Sequence, residues 1–226
     1  MATTILITGG NRGIGLALTE QLSAREATRV LVACRQASDE LNALASSAQV
    51  EVIEGVDVRE PSAITEQLSA RGVTTLDLLI NNAGVLTRES LGSVDYDQMR
   101  FQFEVNTLGP LKVVEACLPL LSSGSKIANI SSRMGSIADN TSGGMYGYRA
   151  SKAALNMVGV SLARDLAAQG VAVATLHPGF VRTGMTGGRG LIETDESARG
   201  LIARIDALSL ETSGGFWHSN GDELPW

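Results

Sequence analysis

Tyr148 and Lys152 stand four positions apart within a stretch of helical character that runs from about Met145 to Gln169. Residues at that spacing share one face of a helix, so the phenol and the ammonium would lie one turn apart. A free tyrosine titrates at about 10, and a neighbouring cation favours the phenolate and lowers that pKa. The spacing therefore predicts that Tyr148 exchanges protons with a bound molecule. An ordinary amphipathic helix is the alternative.

A hydroxyl group is predicted close to this pair. Ser132 follows the apolar run 126–130, which is typical of a buried strand, so its side chain would lie at the carboxyl end of that strand. A serine there can hydrogen-bond a carbonyl oxygen, although serines after strands are more often plain turn residues. Ser132 becomes a candidate because it would share one sheet edge with the other polar groups.

A glycine-rich loop follows the first apolar run. The segment 8–15 reads Thr-Gly-Gly-Asn-Arg-Gly-Ile-Gly and opens into the helical pattern 16–24. Glycines let the backbone pass close to a pyrophosphate, whose charge is favoured by the free N–H groups at a helix N-terminus. The strand before the loop and the helix after it favour a dinucleotide site over a purely structural turn. The expected contacts are Gly9, Asn11, Arg12, Gly13, Ile14 and Gly15.

The residue at the end of the second apolar run predicts which dinucleotide is bound. In NAD-binding folds an acidic residue about 20 positions after the glycines holds the ribose 2′-hydroxyl, whereas an arginine suits a 2′-phosphate. Here that position is Arg35, and no carboxylate stands at the end of the run. Arg12 adds a second guanidinium, a group that matches phosphate oxygens. NADP(H) is the predicted cofactor, and two solvated surface arginines are the alternative.

A parallel sheet is needed to bring these residues to one edge. Short apolar runs rich in β-branched residues recur with helix-like segments between them, at 5–7, 30–34, 50–56, 76–80, 127–130 and 171–176. Continuous rather than alternating hydrophobicity indicates strands covered on both faces. The pattern predicts an α/β fold, a single-domain Rossmann-type doubly wound parallel sheet of about seven strands with helices on both faces. We expect one NADP(H)-binding catalytic domain over residues 1–226, least regular at 133–144, 183–194 and from Ser213 onward.

The composition narrows the classes of partner. The formal net charge is −6 and no cluster of lysines or arginines stands out, so we expect no nucleic-acid binding. No apolar stretch reaches the ~18 residues of a membrane span, and the first residues lack the basic segment of a signal peptide. We therefore expect a cytoplasmic protein that does not bind membranes. Cys34 and Cys117 lie in apolar runs, and His177 and His218 lack partners at ligand spacing, which predicts buried thiols and no metal site.

In this order the motifs resemble the short-chain dehydrogenase/reductase family, and the resemblance runs from the first strand to beyond residue 183. Beside the glycine loop and the Ser132, Tyr148 and Lys152 set, the matching positions are Asp57, Val58, Asn82, Ala83, Gly84, Asn106, Pro178, Gly179, Val181 and Thr183. The resemblance implies that hydride passes between nicotinamide and a carbonyl carbon. Tyr148 would transfer the proton at the oxygen, Ser132 would orient that oxygen, and Lys152 would bind the ribose and modify the pKa of the tyrosine.

The same resemblance assigns the remaining positions to the cofactor. Asp57 and Val58 would meet the adenine, residues 82–84 would lie along the cofactor, and Val181 and Thr183 would hold the nicotinamide carboxamide. Pro178 and Gly179 precede that pair. An arginine at the position of Arg35 is typical of members that prefer NADP(H), in agreement with the charge argument.

Asn106 is implied to hold a water that relays protons to the lysine, through its backbone carbonyl. Pro110 lies four residues later and has no N–H to donate. We therefore hypothesise that the Asn106 carbonyl lacks its helical partner and is free to accept a hydrogen bond from water.

Within the family, the loop 11–15, the stretch 144–148 and the tail 214–226 look like the C-factor and Sniffer group of carbonyl reductases. The predicted substrate is a small carbonyl compound or alcohol, and Met134, Tyr146, Phe180 and Met185 are the expected pocket walls. The glycine-rich segment 184–190 is short where many relatives carry a helical lid, which favours an open cleft. A homodimer or homotetramer is expected through the helix of Tyr148, on which Leu155, Val158 and Leu162 are apolar.

Two other functions remain open at this point. A non-catalytic NADP(H)-sensing or signalling protein would keep the glycine loop and Arg35 but would not need Ser132, Tyr148 and Lys152 together. A sugar-nucleotide epimerase or dehydratase would normally need a larger substrate-binding part than 226 residues leave.

Overall fold

Six strands form at the apolar runs, and a seventh completes the sheet. In the computed structural model, which describes residues 2–47 and 49–226, the strands are β1 (Thr3–Thr8), β2 (Thr28–Ala33), β3 (Val50–Ile53), β4 (Leu78–Asn81), β5 (Lys126–Ile130), β6 (Ala172–His177) and β7 (Phe216–His218). They pair in the order β3-β2-β1-β4-β5-β6-β7, and every pair is parallel. The predicted doubly wound parallel sheet is confirmed.

Strand β7 corrects the expectation that the tail from Ser213 is irregular. Phe216 to His218 pair with the end of β6, and the Leu224 N–H donates to the Phe216 carbonyl. The indole of Trp226 stacks on the Phe216 ring, with 5.2 Å between centroids. Three residues suffice for this strand because β6 and the stacked tail hold it from both sides.

Seven α-helices connect the strands in the described part of the chain. They are α1 (Gly13–Ser23), α2 (Asp39–Leu44), α3 (Ser62–Ala70), α4 (Tyr96–Phe103), α5 (Gly109–Cys117), α6 (Tyr146–Leu166) and α7 (Thr194–Ala207). The long helix expected from about residue 145 to 169 is confirmed, because α6 continues as a 3₁₀ turn to Gln169 and ends at Gly170, whose φ is 77°. A π-helical turn, Glu104–Leu108, joins α4 to α5.

Apolar side chains of the sheet pack on two separate cores. In β1, Ile5 and Ile7 face α1, α2 and α7, whereas Leu6 between them faces α3, α5 and α6. Both thiols are buried, Cys34 in the first core and Cys117 in the second, as predicted. Because helices cover both faces, polar groups converge only where the strands end, and the site is built there.

Helix α6 uses its apolar face within the subunit. Leu155 and Leu162 are 1% and 9% exposed, and Val158 packs against the second core. Leu155 and Leu162 are therefore not available for a subunit contact, because the sheet and its helices already cover them, whereas Val158 is only half-buried. None of the helices in the described residues is long and apolar enough to cross a membrane.

Candidate active site

The glycine loop approaches the end of β4 without room for side chains. Gly9 has a φ of 68°, a left-handed conformation that favours glycine, and a Cβ added there would lie 2.9 Å from the Ala83 Cα. A Cβ on Gly15 would collide with the Gly9 carbonyl and with the Asn82 amide. The loop is thus packed against the connection that follows β4, which explains why glycine stands at these positions.

Asn82 ties the two loops together. Its side-chain amide donates to the carbonyls of Thr8 and Gly9, at 3.1 and 3.0 Å. The Thr8 hydroxyl in turn accepts from the backbone N–H groups of Asn82 and Ala83. Asn82 was expected to lie along the cofactor, and it also fixes the shape of the loop that would bind it.

The start of α1 has the properties of a phosphate site. Arg12 occupies the N-cap position with no side-chain hydrogen bond, and the first turn of the helix contains no acidic residue. The free N–H groups there, together with the helix dipole, favour an anion. Arg12 and Arg35 are exposed and line one cleft of about 620 Å³, and neither is in an ion pair in the part of the chain that the structure describes.

The same cleft contains two residues that the sequence analysis missed. Arg59 pairs with Asp57, with 2.7 Å between Nη2 and Oδ2, and its guanidinium lies 5.4 Å from the centroid of the Phe101 ring. The pair with Arg59 and the nearby charge of Arg35 lower the pKa of Asp57. Arg59 and Phe101 both line the cleft with Asp57 and Val58. Arg59 follows the predicted pair directly, but nothing in the sequence links it to Phe101.

Tyr148 and Lys152 line this cleft as well, and the Ser132 hydroxyl lies near the phenol of Tyr148. Ser132, Tyr148 and Lys152 are buried, with 7%, 8% and 4% exposure, although Ser132 belongs to the turn after β5 and the other two to α6. The Lys152 ammonium donates to the Ile130 carbonyl at 2.9 Å and lies 6.0 Å from the centroid of the Tyr148 ring. A Cβ on Gly135 would lie 2.7 Å from the Lys152 carbonyl carbon, so the turn after Ser132 packs directly on α6.

Asn106 lies in the π-helical turn and is fully buried. Its side-chain oxygen accepts from the Val85 N–H, and its amide donates to the Val85 carbonyl and to the Ser151 hydroxyl. A Cβ on Gly84 would lie 3.3 Å from Asn106 Oδ1 and 3.7 Å from Lys152 Nζ, so Asn106 and Lys152 are close together. The wider π turn occurs where Pro110 cannot donate to the next turn, a common cause of such distortions.

The comparison with known families decides the relationship. A family model described as short chain dehydrogenase matches residues 3–191. The chain belongs to the short-chain dehydrogenase family. The family predicted from the motifs is therefore confirmed, and the protein is an oxidoreductase by class.

Similar proteins cover the whole length of this short-chain dehydrogenase. One is 1-hydroxy-2-glutathionyl-2-methyl-3-butene dehydrogenase of Rhodococcus sp. (strain AD45), which is 45% identical over an alignment of 231 positions that covers 99% of this chain and 100% of that protein. The carbonyl reductase Sniffer of D. melanogaster superposes with a TM-score of 0.92 at 32% identity and covers 100% of both chains. An NADPH-bound carbonyl reductase from chicken fatty liver has a TM-score of 0.91 at 31% identity, covering 100% of this chain and 99% of that one.

Most of the predicted cofactor residues of this dehydrogenase line the single cleft described above. They are Gly9, Asn11, Arg12, Gly13, Ile14, Gly15, Arg35, Asp57, Val58, Asn82, Ala83, Gly84, Tyr148, Lys152, Pro178 and Thr183. Gly179 and Val181 do not line it, since Val181 is buried and pairs with Ile192 in an isolated bridge. Of the expected pocket walls, Met185 lines the cleft, Met134 is half-buried, and Tyr146 and Phe180 are exposed.

Burial controls the proton affinities at this site. Desolvation raises the pKa of Tyr148 to about 12, against a smaller lowering effect of the nearby Ser132 hydroxyl. Desolvation also lowers the pKa of Lys152 to about 8. The pKa of Tyr148 is therefore raised and not lowered as the spacing predicts, because burial of the phenol dominates. At neutral pH the phenol keeps its proton and can act as a hydrogen-bond and proton donor.

The buried ammonium should be visible in the pH dependence of stability. Between about pH 8 and the ordinary value of 10.5, the unfolded chain holds the Lys152 proton and the folded protein releases it, so stability rises with pH. The contribution up to about pH 10 is about 2 kcal/mol. Lys152→Met, which has no titrating group there, should lack this rise in urea unfolding measurements. The titrations of the cysteine thiols are common to both proteins and cancel in the difference between their free energies of unfolding. If the free energy of unfolding changes with pH in the same way in both proteins, the lowered pKa of Lys152 is contradicted.

Proposed function

We propose that this short-chain dehydrogenase is an NADP(H)-dependent carbonyl reductase that acts on ketones or aldehydes, and on secondary alcohols in reverse. The observation that carries the proposal is that buried Tyr148 and Lys152 line the same cleft as Arg12 and Arg35. One dinucleotide extended along this cleft would have its phosphates near the arginines and its redox end near the phenol.

The cofactor preference follows from charge. A 2′-phosphate adds two acceptor oxygens or more next to the ribose, and guanidinium groups bind such oxygens in pairs. Arg12 and Arg35 are available for this because neither is engaged in an ion pair within residues 2–47 and 49–226. The NADPH bound to the similar chicken carbonyl reductase supports the same choice.

The bound nicotinamide supplies or accepts the hydride, and the protein handles the proton. In the reductive direction Tyr148 donates its phenolic proton to the carbonyl oxygen, which its raised pKa permits at neutral pH. The Lys152 ammonium stabilises the phenolate that remains, and the Ser132 hydroxyl orients the oxygen. A water that donates a hydrogen bond to the Asn106 carbonyl would return a proton to Lys152.

Residues outside this centre hold the two ends of the cofactor and the substrate. We infer that Asp57 and Val58 meet the adenine and that Thr183, which lines the cleft, holds the nicotinamide carboxamide. Met185 lines the cleft and offers an apolar wall to a carbonyl compound, and we infer that Met134, Tyr146 and Phe180 extend this wall when a substrate is bound. The segment 184–190 contains no helix and leaves that side open, which favours several substrates over one. Cytoplasmic location and assembly as a homodimer or homotetramer belong to the same proposal.

A screen for turnover tests the proposal. Purified protein with NADPH should oxidise the cofactor when supplied with members of a panel of ketones, aldehydes and quinones, followed by loss of NADPH absorbance. Substrate-dependent oxidation that is absent from a Lys152→Met control would support the reductase. Tight NADPH binding with no turnover across the panel would instead favour a non-catalytic NADP(H) sensor and would overturn the proposal.

A further inference from the structure

A buried carboxylate lies beside the start of the catalytic helix and has no place in the mechanism above. Glu89, in the connection between β4 and α4, is 5% exposed. Its Oε1 accepts from the Thr87 hydroxyl and the Gln102 amide, both at 2.6 Å, and its Oε2 accepts from the Gly147 N–H at 3.2 Å. All three donors are neutral, and no ion pair involves Glu89 in the described residues.

The first turn of α6 needs acceptors from elsewhere in the chain. The first N–H groups of a helix have no partner inside it. The N-cap residue, Met145, has a left-handed backbone with a φ of 53° and makes no side-chain cap. Glu89 supplies two acceptors to this turn. Its backbone carbonyl accepts from the Met145 N–H at 3.1 Å, and its carboxylate accepts from the Gly147 N–H. A negative charge at a helix N-terminus is also favoured by the helix dipole.

Helix α4 packs closely against the same first turn of α6. A Cβ on Gly147 would collide with the Gln102 amide and lie 2.9 Å from Met99 Cγ. The backbone of Gly147 therefore touches α4 and Glu89 directly, and Tyr148 is the next residue. A shift of this turn would move the phenol relative to the cleft.

We propose that Glu89 is a positioning residue that sets the first turn of α6, and with it the phenol of Tyr148, through its hydrogen bonds to Gly147 and Met145. The inference rests on the proposed role of Tyr148 in proton transfer. It adds a residue 58 positions before Gly147 that touches neither substrate nor cofactor.

The polarity of the network makes this role testable. The Gln102 oxygen accepts from the Thr87 N–H at 3.0 Å, so its amide nitrogen must face Glu89. Glutamine at position 89 has one oxygen and one nitrogen. It would therefore place its own donor against either the Gln102 amide or the Gly147 N–H. Either arrangement loses one hydrogen bond and leaves two donors facing each other.

Exchanging the two side chains restores every bond. With Glu89→Gln and Gln102→Glu together, the carboxylate at position 102 accepts from the Thr87 N–H and from the amide at position 89. The side-chain nitrogen of the glutamine at position 89 also donates to the Thr87 hydroxyl, which can accept. The side-chain oxygen of the same glutamine accepts from the Gly147 N–H. The exchange keeps the size and the charge of the pair and reverses only the direction of the hydrogen bonds.

The experiment compares E89Q, the exchange variant and S125A with the wild type. S125A is the matched control, because the Ser125 hydroxyl is as buried and donates to the Leu76 carbonyl at 2.7 Å, at the opposite edge of the sheet. We expect E89Q to lower kcat by about ten- to hundredfold, as small misplacements of reacting groups do, with little change in NADPH affinity. The exchange variant should recover most of that loss, and S125A should lower the melting temperature without a comparable loss of kcat.

Amide hydrogen exchange in the segment 145–150 gives a second readout that does not need turnover. Exchange should quicken in E89Q and return to the wild-type rate in the exchange variant. A folded exchange variant that stays as slow in turnover as E89Q, or an E89Q protein with wild-type kcat, would overturn the proposal. If E89Q does not fold, the exchange variant alone decides in the same way. If the wild type has no turnover at all, the proposed function fails, whereas hydrogen exchange still decides whether Glu89 holds the turn.

Discussion

Tyr148→Phe is expected to lower kcat by roughly 10²–10⁴-fold, the range that a positioned general acid contributes, while NADPH affinity changes little. The substitution removes only the phenolic oxygen. The ring is buried, with 8% exposure, and its packing within α6 is retained. Phenylalanine cannot donate a proton to the carbonyl oxygen, and no other phenol among the described residues lines the cleft. Steady-state kinetics and a fluorescence titration with NADPH measure the two effects separately.

Tyr96→Phe is the matched control, because Tyr96 lies on α4 with 65% exposure and loses the same oxygen. Its kcat should equal that of the wild type. Substantial residual activity in Tyr148→Phe, well above a tenth of the wild type, would reject proton transfer by this residue. Loss of NADPH binding in the same variant would mean that the phenol holds the cofactor rather than the reacting oxygen.

The parts of the fold that could be predicted are those with a local signal. Apolar runs without alternation indicated strands buried on both faces, and β1 shows why, since Ile5 and Leu6 enter different cores. Strand β7 has three residues after a turn-rich stretch, too few for any period to appear. The apolar face of α6 was visible as well. The sequence did not show what packs on that face, because the same periodicity results whether the face covers the sheet or contacts another subunit.

In the candidate site as well, only the features with a local sequence signal could be predicted. The glycine loop and the Tyr148/Lys152 spacing are local, so they could be read along the chain. The direction of the Tyr148 pKa depends on how deeply the phenol and the ammonium are buried, which spacing does not reveal. Glu89 could not be found from the sequence at all, because its partner Gly147 lies 58 residues away and donates through the backbone, which every residue type except proline can do.

Arg35→Asp should reverse the preference between the two nicotinamide cofactors. The change removes a charge-assisted hydrogen-bond donor to the 2′-phosphate and places a like charge beside it. Asp57 is close enough for Arg35 to lower its pKa, so the substitution also leaves that carboxylate with less compensation. We expect NADPH to bind about a hundredfold or more weakly, from one lost interaction of about 2 kcal/mol and the added repulsion. NADH should bind as well as before or better, since a carboxylate at this strand end can accept from the 2′-hydroxyl.

Arg164→Asp controls for the same change in net charge at an exposed position on α6, away from the cleft, and should leave both affinities unchanged. Dissociation constants for both cofactors, measured at one ionic strength, separate a specific contact from general electrostatic attraction. Equal weakening of NADPH and NADH by Arg35→Asp would remove the phosphate contact from Arg35 and leave Arg12 as the cation to test. A selective loss of NADPH would place the 2′-phosphate at the end of β2, so the orientation of the cofactor would follow, with its nicotinamide directed toward Tyr148.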